Sequence, residues 1–447
     1  MKLLCISNGH GEDVIACRIL NALGESYPSI ERCALPITGT GAAYHANGIP
    51  IIGSTQVMPS GGFINRDPKQ LARDVSQGLV ALTRSQLGAI KTWASTDTKD
   101  KAILAVGDIV PQIFSHLSGL PYVFIGTAKS EYWLRDEQGK LPAKKLWERL
   151  EGWSGSVYLP WERWLMARPN CRAIFVRDAL SAATLQKLGI RAYYAGNPMM
   201  DGLAPEGKLD GLLQHLAEQH LAEQHLAEQH LAEQHLVEQH LAETAAEKDT
   251  VKIALIPGSR EPEAYENWAN IMAALPGLIE AFSDKHIVLL GAIAPSLSPD
   301  KLPATPNTWT HQSKPYSTFT HQNVTLLLIS DAYNDCLYQA DIAIATAGTA
   351  TEQFVGLGKP AITLPGNGPQ FTEAFATVQS KMLGPSVQMV SSAEDIGAAI
   401  AQTLSDPARL EAIKENGKQR MGEAGAGAAI AQQLVQALSQ PTQKLKT

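Results

Sequence analysis

The sequence has few of the features that mark membrane-spanning, disulfide-bonded or nucleic-acid-binding proteins. No apolar run approaches the roughly 18 residues that a membrane-spanning helix needs. The five cysteines are scattered and form no CxxC pair, which argues against a disulfide framework or a zinc site and favours the reducing cytoplasm. The amino terminus lacks the apolar core of a signal peptide. Because the net charge is −7, the overall balance does not favour a nucleic-acid partner.

The length and the pattern of the chain predict two α/β domains. The 447 residues exceed what one hydrophobic core usually serves. Short apolar runs alternate with amphipathic stretches in both halves, which predicts two Rossmann-like, doubly wound parallel sheets. The predicted domains are 1–200 and 251–447, the second with the terminal helices, and 201–250 is the predicted linker.

Ten strands are predicted from the apolar runs. They lie at residues 2–7, 102–106, 122–125, 173–176, 192–195, 251–256, 286–291, 325–329, 341–345 and 361–364. Turn or helix-start residues follow them, and the first helix is predicted at 13–23.

A low-complexity segment of HLAEQ repeats occupies residues 215–243, with one substitution at Val237. On a helix, a five-residue step places each leucine about 140° from the previous one, so no continuous apolar face forms. The histidines are scattered in the same way, whereas a helical metal pair needs i,i+3 or i,i+4 spacing. The repeat therefore predicts an expanded interdomain linker, helical or not, and no metal site is predicted in the chain.

The first motif with chemical content lies between the first predicted strand and helix. Residues 7–13 read Ser-Asn-Gly-His-Gly-Glu-Asp, and ligands bind at the carboxyl ends of strands in open α/β sheets. Glycines allow close backbone approach, and a helix amino terminus favours an anionic or hydroxyl-rich ligand. The residues singled out here are Asn8, Gly9, His10, Gly11 and Glu12. The alternative is a tight turn with Asp13 as N-cap, which leaves the histidine unexplained.

Two loops in the second half carry groups that suit a diphosphate. Gly258, Ser259 and Arg260 follow a strand and supply a close backbone, a hydroxyl and a permanent cation. The strand at 341–345 runs into small residues and a helix with hydroxyl and acidic side chains. The ligand-binding residues predicted on this helix and on the Gly/Pro loop after it are Gly348, Thr349, Thr351, Glu352, Gln353, Asn367 and Gln370. Plain turns, with the arginine in solvent, are the alternative.

These segments together resemble the lipid-A-disaccharide synthase family of GT-B glycosyltransferases, over nearly the whole chain apart from the repeat. The similar features are Leu-Ile-Pro-Gly-Ser-Arg at 255–260 with Glu263, Gly-Thr-Ala-Thr at 348–351 and Gly-Lys-Pro at 358–360. Asn197 stands where this family has an interdomain histidine. Its Gly-Asn-Pro context is similar to the transferase that adds N-acetylglucosamine to lipid I.

The chain departs from that family at two places. The family's opening loop reads Gly-Glu-Ala-Ser-Gly-Asp, unlike residues 8–13 here. Glu352 follows Thr351 directly, so Gln353 takes the family's Glu position, and either side chain could bind the ribose. The sequence therefore looks like a divergent relative of the true synthase.

The resemblance implies a GT-B fold, with two domains facing a cleft, and an inverting transfer of a sugar similar to N-acetylglucosamine. The donor is a UDP-sugar held by the second-half loops, and a lipid or glycolipid acceptor lies beside the opening loop. A general base takes the acceptor proton, and Asp108 and His10 are the catalytic candidates. For Asp108, an N-cap role is the alternative. The transfer requires neither a cofactor nor a metal, because cationic and backbone groups can meet the leaving charge.

A tryptophan-rich segment at 133–168 is interleaved with basic residues. Its members are Trp133, Lys144, Lys145, Trp147, Arg149, Trp153, Trp161, Arg163, Trp164 and Arg168. Aromatic rings with cations suit a lipid headgroup interface, and the apolar loop at 61–64 adds to it. The segment predicts peripheral contact with the inner face of the membrane. The alternative is a helical subdomain with the tryptophans in its core.

Two other functions stay open from the sequence. A UDP-sugar 2-epimerase shares the GT-B architecture and needs no acceptor. A catalytically inactive sugar-nucleotide-binding scaffold would fit the altered opening loop and the shifted Glu352.

Overall fold

A computed structural model describes most of the chain and divides it into two compact units. The described residues are 1–58, 74–96, 100–142, 152–231, 250–302, 309–312, 315–366, 368 and 371–439, without the side chains of 221–231. The first unit comprises Met1–Asp201 with Arg420–Thr447, and the second comprises Gly202–Gln419.

Strands and helices alternate through both units. The strands are β1 (Lys2–Ser7), β2 (Glu31–Pro36), β3 (Lys101–Gly107), β4 (Tyr122–Gly126), β5 (Arg135–Asp136), β6 (Gly139–Lys140), β7 (Cys171–Val176), β8 (Ala192–Tyr193), β9 (Thr250–Ile256), β10 (His286–Ala292), β11 (Thr310–Gln312), β12 (Ser317–His321), β13 (Val324–Ile329), β14 (Ile342–Ala345), β15 (Ala361–Thr363) and β16 (Val387–Met389). The helices are α1 (Gly11–Ser26), α2 (Ala42–Ala46), α3 (Leu79–Ser95), α4 (Ile109–Leu117), α5 (Pro160–Met166), α6 (Ala179–Lys187), α7 (Asp210–Leu231), α8 (Glu263–Met272), α9 (Leu275–Ala281), α10 (Tyr333–Gln339), α11 (Thr349–Gly356), α12 (Glu373–Leu383), α13 (Asp395–Leu404), α14 (Pro407–Met421) and α15 (Ala426–Ser439).

The first unit is built on a parallel sheet covered on both faces. Its strand order is β2-β1-β3-β4-β7-β8. Leu3 and Cys5 of β1 join one core layer, whereas Leu4 and Ile6 join the other, and all four are fully buried. A strand buried on both faces is apolar throughout, as parallel sheets require. The order reverses between β1 and β3, so the loops after these strands meet at a topological switch point.

The second unit has a larger, mixed sheet. Its order is β11-β12-β13-β10-β9-β14-β15-β16, with antiparallel pairing only around β12 among the described strands. Ile253 and Leu255 of β9 pack with Trp268 of α8 in one core. Here the order reverses between β9 and β14, which places a second switch point at the carboxyl ends of these two strands.

The last helix belongs to the first unit, so the predicted assignment of all terminal helices to 251–447 is corrected at α15. Ile430 and Leu434 are buried in the same core layer as α1. The Asp201 carboxylate accepts hydrogen bonds from the backbone N–H groups of Gly425 and Gly427, at 2.6 and 2.7 Å. A carboxylate at a helix amino terminus pairs free N–H groups and favours the helix dipole, which fixes α15 on the first unit.

The first part of the predicted linker is also corrected, because it packs on the second unit. Leu209 and Leu213 are buried where α7 begins. The His220 ring, in the repeat, stacks on His286 of β10 with 4.5 Å between ring centroids. The repeat is helical as far as residue 231, and its remainder lies outside the described residues.

All ten predicted strands are present, and the predicted α/β class with doubly wound parallel sheets is confirmed. The missed strands include β2, β11 and β16, which lie at sheet edges and whose sequences mix polar with apolar residues. Over the described ranges, no helix has both the length and the apolar character to cross a bilayer.

Candidate functional site

At the switch point of the first unit, one asparagine joins two loops. Ser7 lies beside Val106 in the register of β1 and β3. The next residue, Asn8, accepts a hydrogen bond from the backbone N–H of Asp108 through Oδ1, at 2.9 Å. Gly107 has a φ of +135°, and a Cβ there would lie 1.9 Å from Asn8 Oδ1. Only glycine therefore permits this close approach of the two loops.

His10 lies in the opening loop with an unusual backbone. Its φ is +52°, a left-handed conformation that costs free energy for a residue other than glycine and is frequent at functional sites. Its ring lies over the backbone of Gly39, since a Cβ built there would be 3.5 Å from His10 Cε1. Asp13 is not the N-cap residue of α1, because the helix begins two residues earlier at Gly11, and the Asp13 carboxylate accepts a hydrogen bond from Ser7 Oγ at 2.6 Å. The alternative of a turn capped by Asp13 is therefore wrong.

Three carboxylates gather near these loops. Glu12 is half-buried and accepts a hydrogen bond from Thr127 Oγ1 at 3.3 Å. Burial, together with the neighbouring Asp108 and Asp13 carboxylates, raises the pKa of Glu12 to about 7. Burial also raises the pKa of Asp13 to about 6, although the Ser7 hydroxyl opposes this. A carboxyl group that titrates near neutrality is suited to proton transfer.

Asp108 is the N-cap residue of α4, which is the structural alternative predicted from the sequence. Its Oδ1 accepts from the backbone N–H of Val110 at 2.8 Å and so caps α4. The side chain is half-buried beside Asn8. The sequence places Glu12 in the opening loop but does not predict its raised pKa, because burial around a single carboxylate leaves no signal in the sequence.

The second switch point brings together the loops after β9 and β14. Ile256 lies beside Ala345 in the strand register. Gly258 has a φ of +102°, and a Cβ there would lie 3.7 Å from the Thr346 carbonyl oxygen. Ser259 is exposed and Arg260 is half-buried just before α8. A hydroxyl and a guanidinium are thus placed at the edge where ligands bind open sheets.

The start of α11 separates the predicted hydroxyl ligands. Thr349 is exposed in the first turn. Thr351 is fully buried, and its Oγ1 donates to the Ala347 carbonyl at 2.5 Å. A direct ligand contact is therefore closed to Thr351, because its hydroxyl is engaged inside the helix turn. Glu352 and Gln353 are both buried, and Gln353 Oε1 accepts from Tyr333 Oη at 2.8 Å.

Other residues of the predicted site have structural partners or lie outside the described residues. Asn197 is buried and accepts from the backbone N–H of Met199 at 3.0 Å, which caps a short 3-10 turn. Lys359 donates to the carbonyls of Leu337 and Ala340 at the end of α10, and burial lowers its pKa to about 8. Asn367 and Gln370 are outside the described residues. In the described ranges, no group of three or more His, Cys, Asp or Glu is placed to hold a metal ion.

Three tryptophans of the segment 133–168 are exposed. Trp153, Trp161 and Trp164 expose 65%, 54% and 51% of their surface. The Arg168 guanidinium lies 4.1 Å from the centroid of the Trp164 ring. The alternative of a purely buried set is therefore wrong for these three. Residues 143–151, with Trp147, Lys144, Lys145 and Arg149, and the loop 61–64 are outside the described residues.

Comparisons with known proteins show the fold. No family model and no curated protein matches the chain. Among solved structures, it is similar to CalG4, the calicheamicin glycosyltransferase, at 14% identity and a TM-score of 0.55 over 99% of both chains. It is similar to S. aureus MnaA, solved with UDP, at 12% identity and 0.53 over 99% of this chain and 98% of the other. For Acinetobacter baumannii MurG the values are 10% and 0.51 over 97% and 99%. The predicted GT-B fold is confirmed.

Proposed function

We propose that the protein is a glycosyltransferase that moves a sugar similar to N-acetylglucosamine from a UDP-sugar to a lipid-linked acceptor, as lipid-A-disaccharide synthases do. The observation that carries this proposal is the unlike chemistry of the two switch points, acidic in the first unit and cationic with hydroxyls in the second. Sugar transfer needs both a proton acceptor and a group that stabilises a leaving diphosphate. The names of the similar structures agree, since CalG4 is a glycosyltransferase and MnaA was solved with UDP.

On the donor side, Ser259, Arg260 and Thr349 are the groups proposed to meet the diphosphate. A guanidinium forms paired, charge-assisted hydrogen bonds with phosphate oxygens. Glu352 is the proposed partner of the ribose hydroxyls, because the two oxygens of a carboxylate can accept from both hydroxyls. Asn367 and Gln370 keep their proposed place as sugar contacts.

On the acceptor side, Glu12 is the proposed general base. It accepts the proton of the acceptor hydroxyl while that oxygen bonds to the anomeric carbon and UDP leaves with the electrons of the broken bond. A pKa of about 7 suits this role at neutral pH. His10 and Asp108 flank the base in this proposal, and Asn8, Gly9 and Gly11 shape the loop. The step uses neither a metal nor a cofactor.

The exposed tryptophans are proposed to dock the protein on the inner face of the cytoplasmic membrane. Rings with neighbouring arginines suit a headgroup interface, and a lipid acceptor requires such contact. The test is flotation with anionic and with zwitterionic vesicles. We expect the double substitution Trp161→Ala, Trp164→Ala to weaken vesicle binding, whereas Tyr338→Ala, an exposed aromatic change in the second unit, does not. Equal binding by both variants would contradict this surface.

Turnover separates the proposed function from its alternatives. Protein is incubated with UDP-sugars, with and without vesicles that carry glycolipid acceptors, and UDP and sugar products are measured. A transferase releases UDP only with an acceptor. The same carboxylates would also suit proton removal at the sugar C2, which is what a 2-epimerase needs, and an isomerised UDP-sugar without lipid would identify that reaction. Binding without turnover under all conditions would identify the inactive scaffold.

A further inference from the structure

Helix α8 carries two buried polar side chains on one face. Glu263 and Asn267 are four residues apart, which places them one turn from each other on the same side of the helix. They expose 6% and 2% of their surface. Ala264, Trp268 and Ile271 of this helix are buried in the apolar core. Polar groups buried in such a place are costly unless they are hydrogen-bonded, so their partners define their role.

Asn267 joins the two loops of the switch point. Its Nδ2 donates to the Pro257 carbonyl at 3.0 Å and to the Thr346 carbonyl at 3.3 Å. Pro257 immediately precedes Gly258, and Thr346 lies two residues before Gly348. One planar amide therefore sets the distance between the loop with the guanidinium and the loop that opens α11.

Glu263 holds a third loop, the one after β15. Its Oε1 accepts from the backbone N–H of Phe371 at 2.6 Å. A Cβ on Gly368 would lie 2.3 Å from Glu263 Cγ, and one on Gly366 would lie 3.1 Å from Asn267 Oδ1. The backbone at Gly366 and Gly368 thus lies directly against these two side chains, and a side chain at either glycine would force it away.

We propose that Glu263 and Asn267 are positioning residues for the sugar nucleotide. One face of α8 sets the spacing of all three loops at the carboxyl edge of the second sheet, and neither residue is assigned a contact with the ligand. This inference rests on the proposed function. A binding site held in its bound geometry avoids the cost of ordering loops when the ligand arrives.

The test compares two asparagines that make the same kind of bridge. Asn267→Asp puts a carboxylate against two carbonyl oxygens. Asn323→Asp does so at the amino edge of the same sheet, where Asn323 Nδ2 donates to the Phe282 and Lys285 carbonyls, both at 2.8 Å. We expect both to lower the unfolding temperature. Only Asn267→Asp should raise the Kd for UDP, by about tenfold or more, which is about 1.4 kcal/mol. It should also speed amide hydrogen exchange in all three loops without ligand.

Glu263 gives a second arm with a conservative rescue. Glu263→Gln keeps an oxygen that accepts from Phe371, so we expect UDP binding close to that of the parent, whereas Glu263→Ala should weaken it. If Asn267→Asp does not fold, Asn267→Ala with Asn323→Ala replaces the pair, since these remove the donors without adding charge.

The outcomes separate this inference from the proposed function. Parent protein that binds UDP, with unchanged Kd and unchanged loop exchange in Asn267→Asp, overturns the positioning role and leaves the proposed function standing. Parent protein that binds no UDP overturns the proposed function. Amide exchange in the three loops then tests the spacing role of Glu263 and Asn267 alone. Faster exchange in Asn267→Asp than in Asn323→Asp supports that role, and equal exchange in the two variants overturns it.

Discussion

The two units place the same kind of loop at the same kind of position, but the side chains on these loops differ in chemistry. At the first switch point lie the carboxylates of Glu12, Asp13 and Asp108. At the second lie the hydroxyl of Ser259 and the guanidinium of Arg260. The sheet topology supplies the position in both cases, and the residue types alone decide what the position can do.

An asparagine bridges the two loops in each unit, but with opposite polarity. Asn8 accepts from a backbone N–H through its oxygen, whereas Asn267 donates to two carbonyls through its nitrogen. A positive-φ glycine accompanies each bridge, Gly107 in the first unit and Gly258 in the second. Two loops at a switch point lie close together, and an amide side chain can fix their distance either by accepting through its oxygen or by donating through its nitrogen.

The largest effect is expected from removing the base of the first unit. Glu12→Gln should lower kcat by about 10² or more and leave the Kd for UDP unchanged, because proton abstraction contributes to turnover and not to nucleotide binding. In the parent, activity should rise as pH increases through about 7, since only the deprotonated carboxylate accepts a proton. Steady-state rates from pH 5 to 9 check this. Glu25→Gln, at the exposed end of α1, is the control, and an unchanged inflection in Glu12→Gln would contradict the assignment.

The next largest effect is expected on UDP affinity in the second unit. Arg260→Ala should raise the Kd for UDP by roughly 10- to 100-fold, because a charge-assisted hydrogen bond to an anion contributes about 1.5–3 kcal/mol. Calorimetric titration with UDP measures it. Arg409→Ala removes a half-buried arginine bonded to Gln388 in the same unit and should bind UDP as the parent does. Equal losses in the two variants would indicate a general effect of charge.

A third change tests the spacing of the loops in the first unit. Gly107→Ala should destabilise the fold by about 1–3 kcal/mol, because alanine is strained at that φ and would displace Asn8. Urea unfolding measures the change in the free energy of unfolding, and UDP binding should not change. Gly88→Ala adds a Cβ in open space within α3 and should be neutral or stabilising. Loss of UDP binding in Gly107→Ala would contradict the assignment of nucleotide binding to the second unit alone.

The last effect, which appears only at acid pH, concerns the stability of the second unit. Burial, with the nearby His220 ring, lowers the pKa of His286 from 6.5 to about 4. The unfolded chain takes up a proton as pH falls below 6.5 and the folded chain does not, so stability is lost between 6.5 and 4, by up to about 3 kcal/mol. His286→Gln should flatten this slope in thermal unfolding. His45→Gln, an exposed change in the first unit, should leave it as in the parent.

The strands and the loop positions were readable from the sequence because central parallel strands are mostly apolar. The run at 251–256 and the glycine and serine after it identify β9 and its loop without any tertiary information. The edge strand β2 escaped because it mixes charged and apolar residues and ends in proline.

The features that the sequence did not show depend on distant partners. An alanine-rich helix can pack on either domain, and α15 is fixed on the first unit by Asp201, more than 200 residues earlier. Thr351 is the exception, because it has the residue type of a phosphate ligand but its hydroxyl donates to the Ala347 carbonyl only four residues earlier. The pKa of Glu12 depends on burial and on Asp108, which comes from another strand.

In the proposed function, the second unit holds the nucleotide and the first supplies the proton acceptor. Amide hydrogen exchange of the whole protein with and without saturating UDP tests it most directly. We expect UDP to slow exchange in peptides covering 256–262 and 346–352 and to leave exchange in those covering 8–12 and 107–111 unchanged. Slowing confined to the loops of the first unit would contradict it.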